Sequence, residues 1–301
     1  MINSGAGNPT SYFSQPNTEL DPQLFQGRQL RSWVRTGILS LLQGYLHQKY
    51  RHSELWAHPW LAGSGVSYQW SAARQPGDLD CLVGVEFTQF RQANPEYRGL
   101  TNKQISDEIN EGFRQDLQPQ TENWNGYELT FYVNPTGTDI KNIKPYAAYD
   151  LKYDEWTVTP DPNQTAPSNP EWDSVVNSDY GLATQVSTRF NAALQDLQDT
   201  RNGASQRNAE ARLTAAAQQG GALYEEIHSN RSQAFSATGE GYNDFNNYRW
   251  QAGKRTGTID TLRAIRKYAD EMTKTRQAAT YGVELPDADT LIRRAALYRQ
   301  H

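Results

Sequence analysis

The sequence predicts an α+β domain followed by an all-helical C-terminal domain, and three observations carry that expectation. Two runs alternate apolar and polar residues with the period of a strand. In "DLDCLVGVEF", from Asp78, residues Leu79, Cys81, Val83, Val85 and Phe87 share one face; in "YELTFYV", from Tyr127, residues Leu129, Phe131 and Val133 do. The alternation stops at "TPDPNQTAPSNPEW", Thr159 to Trp172, whose four prolines mark a linker. Beyond it apolar residues recur only at helical spacing: Val176, Tyr180, Ala183, Phe190, Leu194 and Leu197 form one stripe, and Ala209, Leu213, Ala216, Leu223 and Ile227 the next.

Taken in order, residues 1–20 are rich in Asn, Ser, Gly and Pro and read as a loose arm. Asp21-Pro22 carries a helix-start signal, and Leu24, Leu30, Val34, Ile38, Leu42 and Leu46 extend an amphipathic pattern to about Tyr50. A strand is expected at Trp56 to Ala62, then the turn Gly63-Ser64-Gly65 and a short helical piece near Ser67 to Ala73. Pro76-Gly77 breaks the chain before the strand with Asp78 and Asp80. Ile105, Ile109 and Phe113 stripe a helix over Asn102 to Leu117. Strands follow at Tyr127 to Val133 and Tyr146 to Lys152. The first domain is thus set at 21–158, the linker at 159–172 and the helical domain at 173–301. Within the last, Gly203 divides two helices into an antiparallel hairpin, and helices near Thr258 to Thr275 and Asp287 to Arg299 complete it.

A chain of 301 residues is long enough for a buried core, and 8 Trp and 17 Tyr offset an apolar share of only 37%. No apolar run reaches the roughly 20 residues of a membrane span, and the opening "MINSGAGNPTSYFSQPNTELDPQ" has neither a basic n-region nor an apolar h-region. A cytoplasmic protein with no membrane partner is expected. The single cysteine, Cys81, precludes an internal disulfide and a thiolate metal cluster. Formal charge is −5, from 29 basic and 34 acidic residues; from residue 171 onward the signs balance at 16 each, so the acidic excess lies in the first part. That disfavours a general nucleic-acid binder while leaving room for a local basic groove.

Asp78 and Asp80, two positions apart on a strand, project to the same side with Cα atoms about 7 Å apart, a spacing that can bracket metal ions. Nucleotidyl transfer uses two such ions to hold the attacking and leaving oxygens. It also needs backbone N–H groups facing the phosphates, which a Gly63-Ser64 turn opening a helix would present. His52 and His58 are six residues apart, which suits neither one helical face nor a strand pair of ligands, and they read as structural. Cys81 points away from the aspartates and reads as core. There is no Gly-Lys-Ser/Thr phosphate loop and no Gly-x-Gly-x-x-Gly after a strand.

The order of apolar residue, Gly63-Ser64, short helix, Asp78-x-Asp80 on the next strand and a further acid on a later one resembles the polymerase-β-type nucleotidyltransferase superfamily. The resemblance covers about residues 50–135. More loosely, the whole chain looks like the nucleotidyltransferase-like proteins of actinobacterial phages, which would place it in a host cytoplasm. It implies a nucleotidyltransferase-type mixed sheet, two Mg²⁺ ions, a nucleoside triphosphate such as ATP, and transfer of the nucleotide to a hydroxyl of RNA (tRNA included), protein or a small molecule. Asp78 and Asp80 would hold both ions, and Gly63 and Ser64 the β and γ phosphates. For the third acid, Glu86 lies about 20 Å beyond Asp80 at ~3.3 Å per residue, too far to share a metal. Glu128 is preferred, as ligand and base, with Asp150 second because its strand comes one element late.

The segment Glu226 to Gly257 interleaves Arg231, Arg249, Lys254 and Arg255 with Tyr242, Phe245, Tyr248 and Trp250. It reads either as an aromatic-anchored loop or as a cover over the nucleotide, with Arg231 and Lys254 on its phosphates. The alternative function is a catalytically inactive phage protein of the same fold, serving as an interaction or structural module.

Overall fold

Both alternating runs lie in one five-stranded mixed sheet. The computed structural model describes residues 7, 10–134, 139–200, 203–283, 285, 286 and 288–298. Backbone contacts divide the chain into a sheet unit, 11–165 with 286–301, and a helical unit, 1–10 with 166–285.

The sheet unit opens with a two-stranded hairpin, β1 (Phe25–Gln26) and β2 (Gln29–Leu30), before α1 (Ser32–Lys49). The helix expected from Asp21 therefore begins eleven residues late. Asp21 does cap a turn, accepting from the Gln23 amide. The chain then reverses through Gly27, whose φ of +62° is left-handed and interrupts the helical path. Leu24 and Leu30 are buried as their pattern requires, from the hairpin instead of a helix.

α2 (Ser53–Trp56) leads into β3 (Ala57–Ala62), which pairs antiparallel with β4 (Gly77–Val85). After β4 come α3 (Phe87–Ala93), α4 (Asn102–Gly112), a wider turn over Phe113–Leu117, α5 (Gln118–Thr121) and β5 (Tyr127–Val133). Thr101 and Gln104 close a capping box at the start of α4, which fixes that boundary. β5 lies parallel to β4, while β6 (Ala148–Asp150) pairs with β3 and with β7 (Glu155–Val158), giving the order β5-β4-β3-β6-β7. β7 has no alternating pattern long enough to have announced it.

One sheet face, bearing Leu61, Leu79, Cys81, Val83, Leu129 and Phe131, packs on Val34, Ile38 and Leu42 of α1 and Ile105 and Ile109 of α4. Each such side chain contributes about 1.5–3 kcal/mol on full burial. The opposite face carries Trp60, Ala62, Leu82 and Ala148, covered in part by Ile140 and Ile143. It also carries the carboxylates.

In the helical unit α6 (Pro170–Asp199) and α7 (Gly203–Ala234) form the expected hairpin, followed by α8 (Phe245–Thr256) and α9 (Thr258–Tyr281). α6 starts inside the predicted linker because Asn169 accepts from the Glu171 amide and Pro170 suits the first turn. Val186, Phe190, Leu213 and Ile265 form its core. At Gly220 of α7 a Cβ would lie 2.8 Å from Ile265 Cγ2, so glycine sets the closeness of α7 to α9. α10 (Ala288–Tyr298) belongs to the sheet unit, where Arg293 donates to Glu111 of α4 and faces Asp107 and Glu108. The ends expected for this helix, Asp287 and Arg299, fall outside the described residues, as do residues 1–6, 8 and 9 of the expected N-terminal arm. Residues 11–20 are not the loose arm expected: Tyr12 and Leu20 are buried, and Asn17 donates to the Tyr68 and Trp70 carbonyls.

Candidate functional site

Strand register builds the site. On the parallel pair, Asp78 stands opposite Glu128 and Asp80 opposite Thr130; on the antiparallel pair, Ala62 stands opposite Asp80. Neighbouring strands are about 4.8 Å apart, so Asp78 and Glu128 form one row across the sheet, with Asp80 in the next. Apolar residues at alternate positions of β4 and β5 are drawn into the α1–α4 core, and this turns all three carboxylates outward.

The chain leaves β3 at Gly63, with φ +91° and ψ −163°. A Cβ there would lie 3.0 Å from Asp80 Oδ2, and one at Gly65 would strike the Asp78 carbonyl oxygen. The turn backbone is therefore laid directly against the two aspartates, which side chains would prevent. Ser64 to Val66 form a single 3-10 turn, and no helix follows over Ser67 to Ala73. The Ser67 hydroxyl donates to the Ser64 carbonyl and accepts from the Gln69 amide, local bonds that compete with helix formation. Any phosphate at this turn would meet individual amides without the dipole of a long helix.

Arg74, which the sequence reading passed over, lies in the turns ahead of β4. Its Nη1 donates to Asp78 Oδ2 at 2.6 Å, and its Nη2 lies 3.6 Å from Glu128 Oε2. The only sequence signal for it was a cation four residues before Asp78. Among the described residues no three His, Cys, Asp or Glu side chains converge, as they stand, tightly enough to hold a metal ion. The guanidinium instead takes up the Asp78–Glu128 pair. Carboxylate oxygens are the hard donors Mg²⁺ prefers, so Asp78, Asp80 and Glu128 suit that ion in kind and in register, with Arg74 as the group that would have to move.

Asp150 is elsewhere. It pairs with Trp60, two strands from β4 and one residue pair further along, and its side chain is 6% exposed. One oxygen accepts from the Lys152 and Tyr153 amides, and the other lies 2.7 Å from His58 Nε2. His58 stacks on Trp60, so it braces the β3–β6 pair. His52 sits in left-handed backbone ahead of α2, 3.5 Å from Glu54. Cys81 is fully buried on the far face, where burial, with Asp80 as a lesser cause, pushes its thiol pKa up; it is core.

Arg231 and Lys254 belong to the helical unit. Arg231 ends α7 with its guanidinium 5.6 Å from the Phe235 ring centre and 5.2 Å from that of Trp250. Its cation is spent on aromatic faces. Lys254 is half-buried in the last turn of α8, and Arg249 is locked onto Asp179 and Glu226. The segment from Glu226 to Gly257 is thus the end of α7, a turn and a further helix, and not a long loop. Asp244 caps α8 by accepting from the Asn246 amide, and left-handed Gly257 ends it. No helix among the described residues is long and apolar enough to cross a membrane. No protein-family model matches the chain, and comparison with curated proteins and with solved structures finds no match.

Proposed function

We propose that the protein is a Mg²⁺-dependent nucleotidyltransferase acting from the outward face of β4 and β5. The observation that carries this reading is the juxtaposition of Asp78, Asp80 and Glu128 on adjacent strand rows, with the Gly63–Gly65 backbone pressed against the two aspartates. Three hard carboxylates beside a turn whose glycines carry no side chain suit a metal-bound triphosphate better than any other common ligand.

In the proposed step the acceptor hydroxyl oxygen bonds to the α-phosphorus as the bond from that phosphorus to the β-bridging oxygen breaks. Pyrophosphate leaves with the electron pair. Asp78 and Asp80 would hold two Mg²⁺ ions and Glu128 one of them; when bound, the ions neutralise charge on the triphosphate and the leaving oxygen. A Glu128 oxygen left free of metal would take the acceptor's proton. The amide of Ser64 would meet the β and γ phosphates, whereas that of Gly63, expected to share this role, donates to the Ala147 carbonyl at 3.2 Å and ties the turn to the residue ahead of β6. Arg231 and Lys254 carry no part of the proposal.

Incubation with each α-labelled nucleoside triphosphate, Mg²⁺ and a cell lysate tests it: label should enter RNA, protein or a small molecule, and should not with Asp78→Asn. A second reading, a catalytically inactive interaction module of this fold, has one observation in its favour, the Arg74 contacts that offset part of the charge of Asp78 and Glu128 without any ion. Absence of both transfer and nucleotide binding would select it.

A further inference from the structure

Arg74 is tied to the carboxylate pair in a way that is easily undone. It reaches Asp78 at hydrogen-bond distance but Glu128 only at 3.6 Å, and its side chain is 43% exposed. It rises from turns between Ser71 and Pro76 and not from a strand, so its carrier is a loop. Arginine keeps its charge at every accessible pH, so it can free the carboxylates only by moving. The same fork of N–H donors that fits a carboxylate fits a phosphate, and the turn proposed to receive phosphates lies against the same two aspartates.

We propose that Arg74 is a built-in counter-cation that holds Asp78 and Glu128 until a divalent ion replaces it, and then passes to the phosphates of the incoming nucleotide. This inference rests on the nucleotidyltransferase reading of the site. Without a cation, Asp78, Asp80 and Glu128 would repel one another across neighbouring rows; Arg74 relieves that repulsion and lowers the site's affinity for the ion. The ion and the triphosphate together repay the exchange, since the displaced guanidinium gains a phosphate partner. Arg74 acts on the ion through the carboxylates and is in that respect a positioning residue.

The test uses the full chain, Mn²⁺ as a paramagnetic stand-in for Mg²⁺ with free ion read by electron paramagnetic resonance, and a non-hydrolysable nucleoside triphosphate. Without nucleotide, Arg74→Met should bind Mn²⁺ about threefold to tenfold more tightly than wild type, because a half-exposed ion pair no longer competes. At saturating Mg²⁺ the same variant should bind the nucleotide about tenfold to a hundredfold more weakly, the loss of one charge-assisted contact. Arg74→Lys keeps the charge but not the fork, so its Mn²⁺ affinity should stay near wild type while nucleotide affinity falls. Circular dichroism of each variant checks the fold. Wild-type Mn²⁺ binding with no gain in Arg74→Met overturns the counter-cation and leaves the nucleotidyltransferase reading standing. A gain in Mn²⁺ affinity with unchanged nucleotide affinity overturns the hand-over to phosphate. No Mn²⁺ binding by either protein overturns both the inference and the reading beneath it.

Discussion

Arg249 of α8 and Asp179 of α6 meet as a buried fork: Nε and Nη2 donate to the two carboxylate oxygens at 2.6 and 2.8 Å, with both side chains under a tenth exposed. The Asp179 hydrogen bonds, aided by Glu226, push the guanidinium pKa up against the opposing effect of burial. Removing one partner strands a charge in the helical core. Arg249→Met is expected to cost about 3–5 kcal/mol in urea unfolding. The double variant Arg249→Met/Asp179→Leu should recover much of that loss, because the charge left without Arg249, Glu226, is 56% exposed and not buried. Equal stabilities of the single and double variants would show that the fork is not what ties α8 to α6.

Gly63 is the second test position. Its φ of +91° is left-handed, and a Cβ would sit 3.0 Å from Asp80 Oδ2. Gly63→Ala should therefore cost about 1–3 kcal/mol and abolish labelling by pushing the turn off Asp80. Gly221→Ala supplies the contrast, since that glycine lies inside α7 with open space around its Cα. It should stabilise by about 1 kcal/mol. Comparable thermal shifts in the two variants would mean that the Gly63 backbone is not held as described.

Asp78→Asn and Asp80→Asn should each stop nucleotide transfer. The Arg74–Asp78 pair is about a third to two-fifths exposed, so its loss should move stability by no more than about 1 kcal/mol. Melting of purified variants measures this beside the labelling assay. A loss of several kcal/mol at Asp78 would mark the residue as structural, and full activity in both variants would remove them from the site.

Alkaline pH provides a fourth test, in the helical unit. Burial, reinforced by donation to Asp173, raises the Tyr248 phenol from 10.0 to about 12. The folded chain then holds its proton where the unfolded chain has lost it. The stability contributed by Tyr248 is complete below about pH 10 and declines as pH rises towards 12. Tyr248→Phe should be less stable at neutral pH, and its denaturation midpoint should fall less steeply over that interval. Tyr45, Tyr97 and Tyr149 are raised in the same way, so part of the slope should persist. Parallel slopes for wild type and variant would contradict the assignment.

How far these features were legible in the sequence depended on the range of the forces that set them. β4 and β5 were readable because a half-buried strand writes its two faces into alternate residues, and the outward placement of Asp78, Asp80 and Glu128 followed from that alone. The α6–α7 hairpin was readable from its stripes and the break at Gly203. The start of α1 was not, because Gly27 reverses the chain without disturbing the spacing of apolar residues. α8 was hidden by Asn246, Asn247 and Gly253, poor helix formers that tertiary packing and the Asp244 cap override. Arg74 depends on where a loop returns to the sheet, which no local pattern encodes. Asp150, next to aromatic residues on a strand, looked like an available acid; only the pairing of β3 with β6 shows that His58 has claimed it.

Arg293 and Glu111 are separated by 182 positions. At a ribosomal rate of roughly 5–20 residues per second, α4 waits about 10–40 s after its own synthesis before the arginine that sits among Asp107, Glu108 and Glu111 has been made. During that interval residues 166–285 of the helical unit are translated, and its hairpin can close while Glu108 and Glu111 still lack Arg293 and Asp107 has Lys103 of its own helix as its cation. The order of manufacture thus separates the two units in time, and the sheet unit, although begun early, is the one that must finish last.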